Sequence, residues 1–304
     1  MPDIILHHYE TSPFSEKVRI VLGMKGLSWR SVIVPVIAPK PDLTPLTGGY
    51  RRTPVMQVGG DVYIDTQLMM AEIERRHPEP PLGRAGLDWA VNLWADRLFF
   101  QTTVPIIFGT LGEHVPPAFI ADREQLSGRP FDLGAMRTVG PAMQGQWRAQ
   151  AGWIDHHLGV SGDWLTGEAP ALADASAYMN FWFLGRNLPD LMHTLIAGFE
   201  RLPGWLERMA AIGHGHATEM TGAEALAIAN GSDPEPSPPH DDHDPLGLGI
   251  GDRVFVMADD YGRDRIEGRL VAANPERIVL SREDETAGSV RVHFPRTGYL
   301  AGPS

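Results

Sequence analysis

At 304 residues with 43% apolar side chains, the chain is long enough for two or three domains, each with its own core. Its net charge of −12, from 26 basic against 38 acidic residues, disfavours nucleic acid and anionic membrane surfaces as main partners. With no cysteine, it can have neither disulfides nor thiolate zinc sites, and any reactive sulfur must come from a ligand.

No apolar run approaches the roughly 20 residues that span a bilayer. The N-terminus lacks a charged segment followed by an apolar stretch, so a cytoplasmic location is the default expectation. In chain order, Ile4 to His8 reads as a strand and Ser15 to Lys25 as a helix. Ser12 is a favourable N-cap, Pro13 suits the first helical position, and Gly26 closes the far end. Such a helix start, fed by a strand, favours an anion against its free N–H groups. Trp29 to Val36 is a second strand, which makes a parallel βαβ unit the economical reading. Val55 to Val58 and Val62 to Ile64, separated by Gly59, Gly60 and Asp61, have hairpin chemistry. Thr66 is expected to cap a helix that runs to about Arg76 and ends before Pro78. This pattern leaves several α+β folds open.

The residues Ser12, Pro13, Phe14 and Ser15 occupy the place of Cys-Pro-x-Cys in glutaredoxins, with both sulfurs replaced by oxygen. With Lys17, Val18 and Arg19 they resemble the first helix of serine-type glutathione S-transferases. Thr53 and Pro54 stand where that family carries a cis-proline, and Asp65 and Thr66 where it has an acidic residue followed by Ser or Thr. The resemblance covers about 80 residues and implies a thioredoxin-like N-terminal domain over 1–80, with glutathione as co-substrate. It further implies that Ser12 is catalytic, its hydroxyl donating to the glutathione sulfur. Phe14, Thr53, Pro54, Asp65 and Thr66 would bind glutathione, Thr53 pairing with the cysteinyl backbone and Asp65 and Thr66 meeting the γ-glutamyl charges. Ser15 and Tyr9 remain rivals to Ser12. Lys40, Arg51 and Arg52 are the candidate partners of the glycyl carboxylate, and the sequence does not choose among them.

From 84 to 229 the periodicity becomes helical, with candidates Leu87 to Val104, Met143 to Leu158, Asp174 to Leu188 and Leu191 to Met209. This is the second, all-helical domain. Leu165 to Asp174 resembles the family's capping segment, with Ala171 where Ser or Thr is usual, so this helix end is expected to be held differently. Trp94, Phe100, Phe108 and Met143 are candidates for an apolar acceptor pocket, although aromatic residues on helices are more often core. Residues 105–140, rich in Gly and Pro, are expected to pass over the mouth of the site.

Residues 230–249 read as an acidic, Pro-rich linker, and His240, Asp241, Asp242, His243 and Asp244 as solvated charges rather than metal ligands. From 250 to 304, short alternating strands suggest a small antiparallel β-barrel, SH3-like in size, that ordinary transferases lack. Together these readings predict a glutathione S-transferase that activates the thiolate for attack on a hydrophobic electrophile. A homodimer is expected by resemblance. A non-catalytic scaffold that binds a protein partner, and a glutathione-dependent isomerase or dehalogenase, are the alternatives. The electrophile and the role of the C-terminal module are not legible.

Overall fold

The computed structural model describes residues 3–83 and 86–304. The N-terminal unit comprises β1 (Ile5–His8), α1 (Pro13–Met24), β2 (Ser28–Ile33), the short α2 (Thr44–Thr47), β3 (Val55–Val58), β4 (Asp61–Ile64) and α3 (Thr66–Arg76). β1 and β2 pair in parallel with Ile5 opposite Arg30, and β3 runs antiparallel to both β1 and β4. This is the thioredoxin-like arrangement. Ser12 caps α1 as expected, its Oγ accepting from the Ser15 amide at 3.1 Å. The cap of α3, however, is Asp65 rather than Thr66: Asp65 Oδ1 accepts from the Gln67 amide at 3.0 Å, and Thr66 is the first helical residue.

The helical unit begins with α4 (Leu87–Trp94) and α5 (Phe100–Leu111), joined through a π-helical turn, Ala95–Phe99. A short 3-10 turn, α6 (Pro117–Ser127), α7 (Leu133–Ser161), α8 (Leu172–Asn187), α9 (Pro189–Ile196) and α10 (Leu202–Ile212) follow. Residues 105–140 are thus mostly helical. Gly134, Gly140, Pro141 and Gly145 dilute the periodicity of α7, which starts ten residues before the expected Met143. At the start of α8, Asp174 Oδ2 accepts from the Ala171 amide at 3.0 Å, the half of a capping box that survives the loss of a Ser or Thr. Other first-turn donors are met from outside the helix: the Leu172 amide by the Leu82 carbonyl at 2.7 Å and the Ala173 amide by Asp88 Oδ1 at 3.3 Å. Asp174 Oδ1 also accepts from the Leu165 amide and Trp205 Nε1.

Two departures from a purely helical second domain concern the chain's return. β5 (His216–Glu219) joins the sheet in parallel beside β2, and α11 (Gly222–Asn230) packs Ala225 against Ile5, Val32 and Val34. All four residues of β5 are exposed, so no apolar alternation announced it. The return is made possible by close backbone approach: a Cβ on Gly23 of α1 would lie 2.1 Å from the Gly213 carbonyl oxygen.

The C-terminal module contains β6 (Arg253–Ala258), β7 (Ile266–Ala273), β8 (Arg277–Asp284), β9 (Gly288–Pro295) and β10 (Tyr299–Pro303), in spatial order β10-β6-β7-β8-β9. It is strand-rich and antiparallel as the alternation implied, but it does not stand apart as a barrel. β9 pairs in parallel with β4, Val62 opposite Val292, so that ten strands form one sheet. Val254, Leu280, Val292 and Phe294 of the module share one core with Leu46, Tyr50, Val62 and Ile64. Nor is 231–249 a solvated tether. Glu235 pairs with Arg76 at 2.8 Å, its amide donates to Asp61 Oδ2 at 2.7 Å, and Asp244 pairs with Arg296 at 3.1 Å. His240 Nδ1 accepts from the Ala273 amide at 3.1 Å.

Two outcomes follow from this packing. Truncation after Asn230 would strip the edge of β4 and expose apolar residues now covered by the module, so the shortened chain is expected to aggregate on size-exclusion chromatography while the full chain stays dispersed. Asp174→Ala leaves three buried N–H groups unpaired and is expected to cost about 3 kcal/mol in urea unfolding.

Candidate functional site

The start of α1, the Thr53–Pro54 bend and the start of α3 converge at one end of the sheet. Ser12 is buried at the N-terminus of α1, where its hydroxyl accepts from Ser15 and retains its own hydrogen to donate. Pro13 occupies the first helical position, so its missing N–H costs nothing, and Phe14 turns outward to meet Phe100 edge to face at 4.9 Å. The helix behind Ser12 is pinned by Lys17, which is fully buried. Its Nζ donates to both oxygens of Asp96 at 2.7 and 2.8 Å and to Asn92 Oδ1 at 3.0 Å. Asp96 lies on the π-helical turn, and this pair sets α1 against the helical unit.

The Thr53–Pro54 peptide is cis, as the sequence suggested. Asp65 holds φ 70° and ψ 137°, the one non-glycine residue with positive φ among the described residues. Such a conformation costs about 1–3 kcal/mol and persists only where surroundings enforce it. Here the enforcing contacts are the Gln67 amide on Oδ1 and the Tyr299 hydroxyl, which donates to Oδ2 at 3.2 Å. Tyr299 in turn lies 3.0 Å from the Tyr50 hydroxyl.

Two neighbouring cavities take up these residues. The first, of about 80 Å³, is bounded mostly by polar residue types, among them Thr53, Asp65, Thr66, Gln67, Asp96, Arg97 and, from the module, Asp260, Tyr261, Thr297 and Gly298. The second, of about 370 Å³, is mainly apolar. Ser12, Tyr9, Lys40 and Arg51 lie at one end, and Phe100, Phe108, Phe119, Phe131 and Phe183 form the walls. Phe14, Arg52, Thr53 and Tyr261 border both cavities.

Of the rivals to Ser12, Tyr9 shares its cavity, and burial pushes the phenol up. Ser15 is fully buried and borders neither cavity. Phe100 and Phe108 line the apolar cavity, as expected of an acceptor pocket. Trp94 and Met143 do not: Trp94 stacks on Phe99 and borders a separate surface cavity with Trp153, and Met143 packs against the core. Residues 105–140 border the cavity through Phe108, Phe119 and Phe131.

The three candidate cations are placed differently. Arg51 pairs with Asp122 at 3.2 Å. Arg52 pairs with Asp260 and lies 3.9 Å from the Tyr261 ring centre. Lys40, 7% exposed, donates to Thr53 Oγ1 and has no carboxylate partner among the described residues. Burial, with Arg123 adding to it, lowers its ammonium to about 8. The residues that sequence reasoning missed are Tyr261, Asp260 and Tyr299 from the module, and Asp96 and Arg97 from the π turn. Asp259 to Gly262 read only as a turn between strands, and no periodic signal links them to a site some 200 positions earlier.

Among the described residues, no helix is long and apolar enough to cross a membrane. Known proteins share this fold. The family described as "Glutathione S-transferase, N-terminal domain" matches residues 6–81. A GST-like protein from Pseudomonas syringae superposes with a TM-score of 0.82 at 35% identity, covering 100% of each chain. A glutathione S-transferase from Methylobacterium radiotolerans, in complex with glutathione sulfonate, is 20% identical with a TM-score of 0.50, over 72% of this chain and 98% of its own. One from Rhodospirillum rubrum is 19% identical with a TM-score of 0.53, over 68% and 88%. No curated protein matches. The full-length likeness at 35% identity, C-terminal module included, together with the N-terminal match, makes this chain a member of the glutathione S-transferase family.

Proposed function

We propose that the protein binds glutathione and activates its thiol for attack on a hydrophobic electrophile. The observation that carries this reading is the shared cavity: Ser12 at a helix N-terminus, Thr53 beside a cis-proline, a buried lysine without a carboxylate partner among the described residues, and a wall of phenylalanines border one space. The complex of the Methylobacterium protein with glutathione sulfonate supports it from outside. In this reading Thr53 pairs with the cysteinyl backbone over Pro54, Phe14 flanks it, and Asp65 and Thr66 meet the γ-glutamyl ammonium and carboxylate. Lys40 is assigned the glycyl carboxylate, because Arg51 and Arg52 are already paired with Asp122 and Asp260.

A thiol of pKa about 8.5 is mostly protonated at neutral pH, and each unit of lowering requires about 1.4 kcal/mol in favour of the thiolate. Ser12 Oγ–H donates to the sulfur, and the first-turn amides of α1 add their field. The sulfur then attacks an electrophilic carbon held among the phenylalanines, forming a C–S bond, and the displaced group leaves with the electron pair of the bond it breaks. Isomerisation or dehalogenation would share the thiolate and differ only in the acceptor. A homodimer and a cytoplasmic setting belong to the same reading, with the family resemblance as their support. Retention on glutathione-agarose separates this enzyme from a scaffold that has lost the ligand.

Ser12→Ala is expected to raise the pKa of bound glutathione by about 1 unit or more and to lower kcat toward a chlorodinitrobenzene acceptor at least about tenfold, with Kd for glutathione within about threefold. Unchanged turnover in Ser12→Ala, with loss in Tyr9→Phe, would transfer the role to Tyr9. Lys40 loses its charge as pH rises through about 8, so glutathione affinity is expected to fall above that pH. Lys40→Arg, charged throughout, is expected to flatten the dependence in titrations up to about pH 9.

A further inference from the structure

The cavity at Asp65 and Thr66 is partly covered by the module, through Asp260 and Tyr261 of the loop between β6 and β7 and Thr297 and Gly298 of the turn between β9 and β10. Its volume of about 80 Å³ is well below the roughly 300–1,000 Å³ of pockets that enclose small ligands. A ligand that reaches both the start of α3 and Ser12 must also cross the wall of Phe14, Arg52, Thr53 and Tyr261 that separates the two cavities. Tyr261 is the member of that wall carried on the loop.

The loop crosses three parts of the molecule by side-chain and single backbone contacts. Asp259 pairs with Arg97 of the π turn at 2.7 Å, and Asp260 pairs with Arg52. Tyr261 packs its ring against the Arg52 guanidinium at 3.9 Å, and the Gly262 amide donates to the Leu126 carbonyl of α6 at 2.9 Å. Gly262 sits at φ +59°, and a Cβ there would lie 2.9 Å from both Arg52 Nε and Leu126 Cδ1, so the approach requires glycine.

These contacts are of a different kind from those that hold the module to the sheet. The β4–β9 seam is built on backbone pairing and a buried apolar core. The Arg97–Asp259 pair is 40% and 34% exposed at its two side chains, a setting in which an ion pair holds weakly and is screened by salt.

We propose that residues 259–262 are a lid on the thiol site, latched by Arg52 and Arg97, which lifts to admit the peptide thiol while the rest of the module stays fixed to β4. The proposal rests on the reading of this end of the sheet as a glutathione site. Lid opening can nevertheless be measured without glutathione. Because the chain has no cysteine, Thr66→Cys introduces a single thiol, at a buried position that borders only the partly covered cavity.

The experiment follows the labelling rate of that thiol by dithiobis(nitrobenzoate) in the full chain, with and without Asp259→Ala/Asp260→Ala, which removes both ion pairs from the loop side. The double substitution is expected to speed labelling by at least about tenfold, since it removes one exposed and one partly buried ion pair. Raising KCl to about 1 M is expected to speed the parent and leave the double variant nearly unchanged. Equal rates in the two backgrounds, or no response of the parent to salt, overturn the lid. Gln67→Cys, half-buried on the same cavity, is the second reporter should Thr66→Cys unfold, and failure of both to label in either background also overturns it. Glutathione binding by the unmodified protein is measured separately. A tenfold latch effect without glutathione retention keeps the lid and rejects the thiol-site reading.

Discussion

The pairing of β4 with β9 is the contact on which the rest of this architecture depends. In its absence β4 would present a row of unpaired N–H and C=O groups at the sheet edge. The module closes that edge in parallel register, with Val62 and Val292 in its apolar core and buried polar contacts beside them. Asp61 accepts from His293 at 2.7 Å, Tyr63 stacks on the same imidazole at 4.6 Å, and fully buried Glu72 collects Arg75, Arg76 and Arg277. Burial holds His293 below its ordinary pKa, so the contact with Asp61 is a hydrogen bond from a neutral ring.

Once β9 is fixed beside β4, the geometry of the site follows. β4 leads directly into Asp65 and the start of α3, and the chain turning from β9 into β10 brings Thr297, Gly298 and Tyr299 to the same place. The Tyr299 hydroxyl on Asp65 Oδ2 helps hold a backbone conformation that few side chains tolerate. A site that two domains would otherwise build thus acquires a third wall. On the helical side the cavity is bordered by Asp96, which pairs with Lys17 at the buried junction of α1 and the π-helical turn, where breaking either partner would leave an uncompensated charge.

The local parts of the site were legible because local chemistry determines them. Ser12 before Pro13 is a helix start in any context, Gly59 to Asp61 is a hairpin turn, and the Thr53–Pro54 and Asp65–Thr66 pairs are recognisable by type and order. The shift of the α3 cap from Thr66 to Asp65 is a one-residue correction of the kind that cap geometry alone settles. The choice among Lys40, Arg51 and Arg52 was not legible, because it turns on which cations are already neutralised by carboxylates elsewhere in the chain. Asp122 and Asp260 supply that neutralisation from positions about 70 and 200 residues further on.

By itself, then, the sequence determined the thioredoxin-like core, the helical unit, a strand-rich C-terminus and the serine at the head of α1, since capping, periodicity and turn chemistry act over a few neighbouring residues. Only the tertiary structure decided that the C-terminal strands extend the first sheet, that an all-exposed segment becomes β5, and that Asp260 and Tyr261 come to border the cavity at Asp65. Those outcomes depend on which edges and charges meet across long sequence separations, and an exposed strand or a polar turn carries no pattern that names its partner in advance.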